Sequence, residues 1–314
     1  MNDNLIILTG PTAVGKTDLS IKLAKAVDGE IISADSIQVY KDMNIGSAKI
    51  TTEEMDGVGH HLIDVLYPYE DFNVVTFKKF ANCAIADIRK KGKVPIITGG
   101  TGFYIQAVLY DIDFKENEDD GYRNFLEKLL EEKGAVYLHD MLKEIDEKSA
   151  RNIHFNNSKK VIRALEYYHQ TGEKISEHNE VERAKSSPYN FAYFVLNCDR
   201  TKLYQRIEKR VDIMMNQGLV NEVSNLVNKY NLTSDMVSMQ GLGYKEIYSY
   251  LKGEMSLEDA VYVLKRDTRH FAKRQLTWFR REKEVTWVDK DFYDTDEKCL
   301  DYMLNVLKEK KIIE

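Results

Sequence analysis

One short segment constrains this chain more than any other. Gly10-Pro11-Thr12-Ala13-Val14-Gly15-Lys16-Thr17 satisfies the pattern G-x-x-x-x-G-K-[ST] in full. The apolar run Leu5-Ile6-Ile7-Leu8 before it reads as a buried strand, and Leu19, Leu23 and Ala26 after it are helix-spaced. A strand, a glycine-rich loop and a helix in that order make a P-loop. Its backbone N–H groups turn inward at the positive end of the helix and hold phosphate oxygens. Lys16 adds a mobile positive charge, and the Thr17 hydroxyl stands where it would ligate Mg²⁺. The segment implies a substrate with a diphosphate or triphosphate group; it does not fix the reaction.

The rest of the first third repeats the strand–helix alternation. Ile31–Ala34 reads as a second strand closed by Asp35, and His61–Asp64 as a third. Phe72–Arg89 reads as an amphipathic helix, and Val94–Thr98 as a strand running into Gly99-Gly100-Thr101-Gly102. This is the pattern of a mostly parallel sheet flanked by helices, a P-loop NTPase-like α/β core. Near Asp113 the pattern becomes helical and highly charged, with twelve acidic against five basic residues from Asp113 to Glu147. Strand character returns at Tyr193–Asn197, and the remainder is helical apart from a short strand near Val285–Val288. The expected organisation is a core of residues 1–112 and 191–314 with a small α-helical insertion at 113–190.

Composition sets the outer bounds. The chain has 314 residues and a formal net charge of -6, which by itself argues against a nucleic-acid partner. The charge is segregated, however: Lys265 to Lys283 carries eight bases against two acids, so a local basic face remains available to phosphates. No apolar run approaches the ~20 residues that cross a bilayer. The N-terminal Met-Asn-Asp-Asn lacks the basic start of a signal peptide, so no membrane partner and a cytoplasmic location are expected. Cys83, Cys198 and Cys299 are far apart and read as reduced thiols.

Several side chains are candidates for chemistry. In an ordinary P-loop NTPase an apolar strand ends in a magnesium-binding aspartate. The Val94–Thr98 strand ends instead in Gly-Gly-Thr, so Asp35 is the better-placed carboxylate. It could bind magnesium, act as a general base or cap a turn. His60-His61 would point to opposite faces of a strand, which disfavours a shared metal. Arg206 and Arg210 are one helical turn apart and could clamp phosphate oxygens or form a solvated surface. Lys159, Lys160 and Arg163 share a helix face opposite Ile162, Leu165 and Tyr168. The segment Lys273–Arg281 interleaves aromatics with bases, as RNA-backbone binders do. Arg266, Arg269 and Lys273 form its basic stripe, while Leu264, Phe271, Leu276 and Phe279 would face the core.

Five segments together resemble the tRNA dimethylallyltransferases, or tRNA isopentenyltransferases. They are the P-loop; Asp35-Ser36-Ile37-Gln38-Val39-Tyr40 continuing to Met43–Lys49; Gly99–Tyr104; Arg163–Glu166; and Lys273–Arg280. The resemblance spans nearly the whole chain. It implies transfer of a dimethylallyl group from its diphosphate to the exocyclic N6 amine of adenosine at tRNA position 37. Gly10, Pro11, Thr12, Ala13, Val14, Gly15, Lys16 and Thr17 would then hold the diphosphate, with Mg²⁺ at Thr17 and with Arg206 or Arg210 bracing it. Asp35 would be the general base, Thr101 would orient the reacting centre, and Lys16 would stabilise the leaving group. Ser36, Ile37 and Gln38 would hold the flipped adenosine. Arg123, Lys159, Lys160, Arg163, Gly241, Gly243, Tyr244, Lys273, Arg274, Gln275, Trp278 and Arg280 would contact the anticodon stem-loop, and the protein would act as a monomer. The family pattern carries arginine where this chain has Lys160, which keeps the charge but loses the bidentate fork. Two other readings explain part of the chain: a kinase using ATP on the same loop, and an NTP-dependent RNA-binding switch.

Overall fold

A computed structural model describes residues 3–114 and 120–314. The chain forms two compact units, one comprising the residues up to Leu109 and from Pro188 onward, the other Tyr110–Ser187. Both junctions fall slightly earlier than the charge pattern suggested.

The larger unit is built on six strands: β1 (Asn4–Thr9), β2 (Gly29–Ala34), β3 (His60–His61), β4 (Val94–Gly99), β5 (Asn190–Asn197) and β6 (Val285–Asp289). Their order is β3-β2-β4-β1-β5-β6, and every neighbouring pair is parallel. Every residue of β1 and β2 is buried, which is why these strands read as continuous rather than alternating apolar runs. The third strand is shorter than His61–Asp64. Leu62 (φ 64°) and Asp64 (φ 55°) take left-handed conformations that turn the chain off the sheet after His61.

Helices α1 (Lys16–Ala26), α2 (Thr52–Met55), α3 (Val74–Lys90) and α4 (Gly102–Leu109) connect the first strands. Asn73 starts α3 by accepting from the Val75 and Thr76 N–H groups. The smaller unit holds α5 (Tyr122–Ile145), α6 (Glu147–Asn152), α7 (Ser158–Thr171) and α8 (Ile175–Ala184). It has its own core of Leu126, Leu138, Leu142, Val161, Ile162 and Leu165. Gly172 stops α7 in a left-handed conformation. Ile162 and Leu165 of α7 are buried as expected, but Tyr168 is 37% exposed and Tyr167 is buried instead.

After β5 the larger unit continues with α9 (Arg200–Asn216), α10 (Leu219–Tyr230), α11 (Tyr244–Leu251), α12 (Leu257–Phe279) and α13 (Asp296–Glu309). Leu203 and Ile207 of α9 and Met303 and Leu307 of α13 join Leu8, Leu19, Leu23 and Phe194 in one core beside the sheet. Because all six strands are parallel, their carboxyl ends meet on one side, where open α/β sheets bind ligands.

Candidate active site

The P-loop occupies the carboxyl end of β1. Gly15 sits at φ 92°, a conformation that side chains rarely adopt, and there the loop turns into α1. Ala13 also lies in the left-handed region, at φ 64°. Lys16 Nζ donates to the carbonyls of Gly10 (3.0 Å) and Pro11 (2.8 Å). Burial, and then the positive charge of Arg210, push the Lys16 pKa down to about 7, against an upward pull from Asp35. Thr17 is exposed at the start of α1.

The next two strands bring up the rest. The Thr101 N–H donates to the carbonyl of Ala34 (3.2 Å), which sets Thr101 beside Asp35 across the ends of β4 and β2. Asp35 Oδ1 accepts from the N–H groups of Ile37 (2.9 Å) and Gln38 (3.3 Å), an Asx turn in which Oδ2 takes no part. The turn-capping and chemical roles therefore do not compete, since each has its own oxygen. Buried Tyr104 has its phenol pKa pushed up to about 12 by burial and by the Asp35 charge.

A cavity of about 430 Å³ opens here, lined by Thr12, Asp35, Ser36, Ile37 and Thr101 among others. Helix α9 contributes Arg210 and Ile207, and α12 contributes Thr268, Phe271, Arg274 and Gln275. Burial lowers the Arg210 pKa, and Asp18 and Asp35 oppose that. Arg206 is exposed and is not part of the cavity wall, so of the arginine pair only Arg210 reaches it. Phe271 lies on the wall rather than in the core. Gln38 is not part of the wall; its amide donates weakly to the carbonyls of Ser47 (3.3 Å) and Ala48 (3.4 Å).

Other sequence candidates have partners inside the protein. Gln275 is buried; its Oε1 accepts from the Thr12 N–H (2.9 Å) and its Nε2 donates to the Gly100 carbonyl (2.9 Å). It clasps the P-loop to the end of β4, so both ends of its amide are already bonded within the protein. Tyr244 is fully buried, with its hydroxyl donating to Glu222 Oε1 (2.9 Å), and cannot face RNA without leaving the core. Gly241 lines the cavity, and Gly243 (φ 91°) precedes α11. Trp278 packs edge-on to Phe103 at 6.1 Å, while Lys273 and Arg280 are exposed. Within the smaller unit, Arg123 forks onto both oxygens of Glu166 (3.0 and 2.7 Å), and Arg163 reaches the same carboxylate (3.0 Å). Lys159 and Lys160 are exposed. His60 and His61 diverge, His60 to the Val58 carbonyl and His61 to Glu30.

Two positions that contact the loops of the site were not visible in the sequence. Glu222 of α10 accepts three consecutive backbone N–H groups, from Asn44 (3.0 Å), Ile45 (2.7 Å) and Gly46 (3.1 Å). The loop it holds continues into Gly46, Ser47 and Ala48 of the cavity wall. A side chain at Gly46 would overlap the Tyr244 ring, at 2.6 Å. Lys290, just past β6, brings its ammonium so close to the P-loop that a Cβ at Gly15 would lie 2.9 Å from it. Lys290 is paired with Asp296 (2.8 Å). No local motif could have revealed either, because both act across long sequence separations.

Residues 38–282 match the family model described as IPP transferase. The chain belongs to the IPP transferase family. Residues 3–66 also match the model described as isopentenyl transferase. A tRNA dimethylallyltransferase of Lachnoclostridium phytofermentans is 61% identical over 310 residues, 98% of this chain and 99% of that protein. The crystal structure of a tRNA isopentenylpyrophosphate transferase from Bacillus halodurans is 44% identical, with a TM-score of 0.74 over 99% of this chain and 98% of that one. A eukaryotic dimethylallyltransferase captured acting on tRNA is 28% identical, with a TM-score of 0.80 over 97% of this chain and 80% of that one.

Proposed function

We propose that this protein transfers a dimethylallyl group from dimethylallyl diphosphate to the N6 amine of adenosine 37 in tRNA and releases diphosphate. The observation that carries this reading is that Asp35 and Thr101, on neighbouring strand ends, share one cavity with Arg210 and with Thr12 of the P-loop. A phosphate site and a carboxylate with an uncommitted oxygen are what alkylation of a weak amine nucleophile needs.

In the proposed reaction the N6 nitrogen forms a bond to the terminal dimethylallyl carbon as that carbon's bond to the diphosphate oxygen breaks. The N6 proton passes to Asp35, and the diphosphate leaves with the electron pair. P-loop N–H groups, Lys16 and Arg210 stabilise the negative charge on the leaving group as it develops. Thr17 presents a single hydroxyl, which suits Mg²⁺ held jointly with substrate phosphates rather than in a protein cage. Bound there, Mg²⁺ would neutralise part of the diphosphate charge. The target base must leave the anticodon-loop stack to reach Asp35, with Ser36 and Ile37 forming the wall it meets. Arg274 on the same wall, with exposed Lys273 and Arg280 further along, supplies positive charge for the RNA backbone.

The test is incubation of purified protein with unmodified tRNA and Mg²⁺, plus either dimethylallyl diphosphate or ATP, followed by mass analysis of the digested nucleosides. A prenylated adenosine that appears only with the prenyl donor is the expected result. Consumption of ATP with no modified nucleoside would overturn the reading in favour of a kinase.

A further inference from the structure

Strand β3 runs parallel to β2, so the loop after it emerges at the same end of the sheet as Asp35 and Thr101. That loop carries Tyr67-Pro68-Tyr69. The rings of Tyr67 and Tyr69 are stacked, 2° from parallel with centroids 5.5 Å apart. Tyr230, at the end of α10, leans against both at 6.2 and 5.9 Å. Lys41 Nζ stands 4.0 Å from the centre of the Tyr67 ring, and Lys229 Nζ 4.9 Å from that of Tyr230. Tyr67 is nevertheless 40% exposed and Tyr69 53%.

The cluster is continuous with the cavity. Ser238 Oγ donates to the Pro68 carbonyl (2.6 Å), and its neighbours Val237 and Gln240 line the cavity wall. Two carboxylates nearby are engaged: Asp42 by Lys229 and the Tyr230 hydroxyl (both 2.6 Å), and Glu70 by the Tyr67 N–H (2.6 Å). Tyr67 is stacked on Tyr69 and carries Lys41 over its ring, so the aromatic surface left to solvent is chiefly that of Tyr69, the more exposed of the two. A long basic surface would suit a duplex backbone. A short stack of exposed rings suits the flat face of a base that has lost its neighbour, and every base has such a face.

We propose that Tyr67, Tyr69 and Tyr230 form a stacking platform for an unpaired nucleotide of the RNA substrate, next to the cavity that takes the target base. The proposal rests on the tRNA-modifying function given above. Drawing one base out of a loop leaves an adjacent base unstacked, and an aromatic surface at the cavity rim replaces the lost neighbour.

The experiment compares wild type with Tyr67→Ala/Tyr69→Ala, using an end-labelled anticodon stem-loop RNA over a range of salt concentrations. Loss of one stacking contact weakens binding roughly tenfold. The slope of log affinity against log salt stays the same, because no phosphate contact is lost. KM for dimethylallyl diphosphate is unchanged, and Tyr69→Phe behaves as wild type because stacking does not need the hydroxyl. Equal affinity of the double variant and wild type overturns the platform, leaving the patch to a protein partner; so does a loss of affinity accompanied by a flatter salt slope. If the double variant proves misfolded by its thermal melt, Tyr69→Trp decides. Its added emission should be quenched by the stem-loop RNA and not by the same RNA with abasic loop positions. Absence of that quenching overturns the proposal. Wild-type turnover in the same preparations separates the two readings: a wild type that forms no prenylated adenosine sinks the proposed function itself.

Discussion

Lys16 shows how much a single side chain reports about its site. Its ammonium donates to the carbonyls of Gly10 and Pro11, partners that a diphosphate oxygen would outcompete. With a pKa lowered to about 7, Lys16 is mostly neutral in the protein alone above that pH. A bound diphosphate favours the charged form, so binding above pH 7 should take up a proton, and affinity should fall as pH rises through about 7. Calorimetry at pH 8 in two buffers of different ionisation enthalpy measures this directly. About one proton should be taken up per site, and the uptake should vanish in Lys16→Met; no uptake by wild type would mean that the lysine is already charged. At this scale the sequence was most informative where the chemistry is local. The glycine spacing of the P-loop and the position of Asp35 after an apolar run are both short-range signals. Glu222 and Lys290 contact loops of that site yet carry no such signal, since a lone glutamate or lysine on an amphipathic background looks like solvent-facing charge.

Helix α12 illustrates what an element does that its residue list does not say. Its interleaved aromatic and basic residues suggested only two faces, a basic one for RNA and an apolar one for the core. The helix divides instead into separate stripes: Ala272 and Phe279 in the core, Phe271 and Arg274 on the cavity wall, Lys273 outward. Gln275 shares the cavity wall but is committed within the protein, because it joins Thr12 to Gly100. Gln275→Ala should leave a partly buried donor and acceptor unpaired, at a cost of about 1–3 kcal/mol each. The thermal midpoint should fall and KM for the diphosphate should rise, while the salt dependence of tRNA binding stays as in wild type. A flattened salt slope with an unchanged midpoint would restore Gln275 to the RNA-contacting set. Helical periodicity could not separate these stripes, because it gives a direction around the axis and not the identity of what lies there.

Across the whole molecule, net charge and local charge point in opposite directions. The chain is acidic overall, yet α7 of the smaller unit presents Lys159 and Lys160 to solvent. Arg163 and Arg123 are tied to Glu166, so these two lysines are the freer cations of that face. Replacing both with alanine should flatten the dependence of log tRNA affinity on log salt by about 0.7–0.9 per lost phosphate contact. The rate at saturating tRNA should not change. A parallel loss of affinity at every salt concentration would mean that the lysines do not touch phosphate. The alternation of strands and helices was legible from apolar runs and their spacing. The strand order was not, because β1 lies between β4 and β5, and nothing within β1 names its neighbours.

That interleaved order has a consequence during synthesis. The P-loop, Asp35 and Thr101 all leave the ribosome within the first third of the chain. The partner of β1 on its far side, and the helix whose Gln275 clasps the P-loop, follow only after the entire smaller unit has been made. A nascent or prematurely released chain therefore carries every residue of the phosphate motif but no wall for Arg210, Phe271 or Arg274 to complete. Only a chain synthesised through α12 contains the complete cavity wall, so the site is completed late in synthesis.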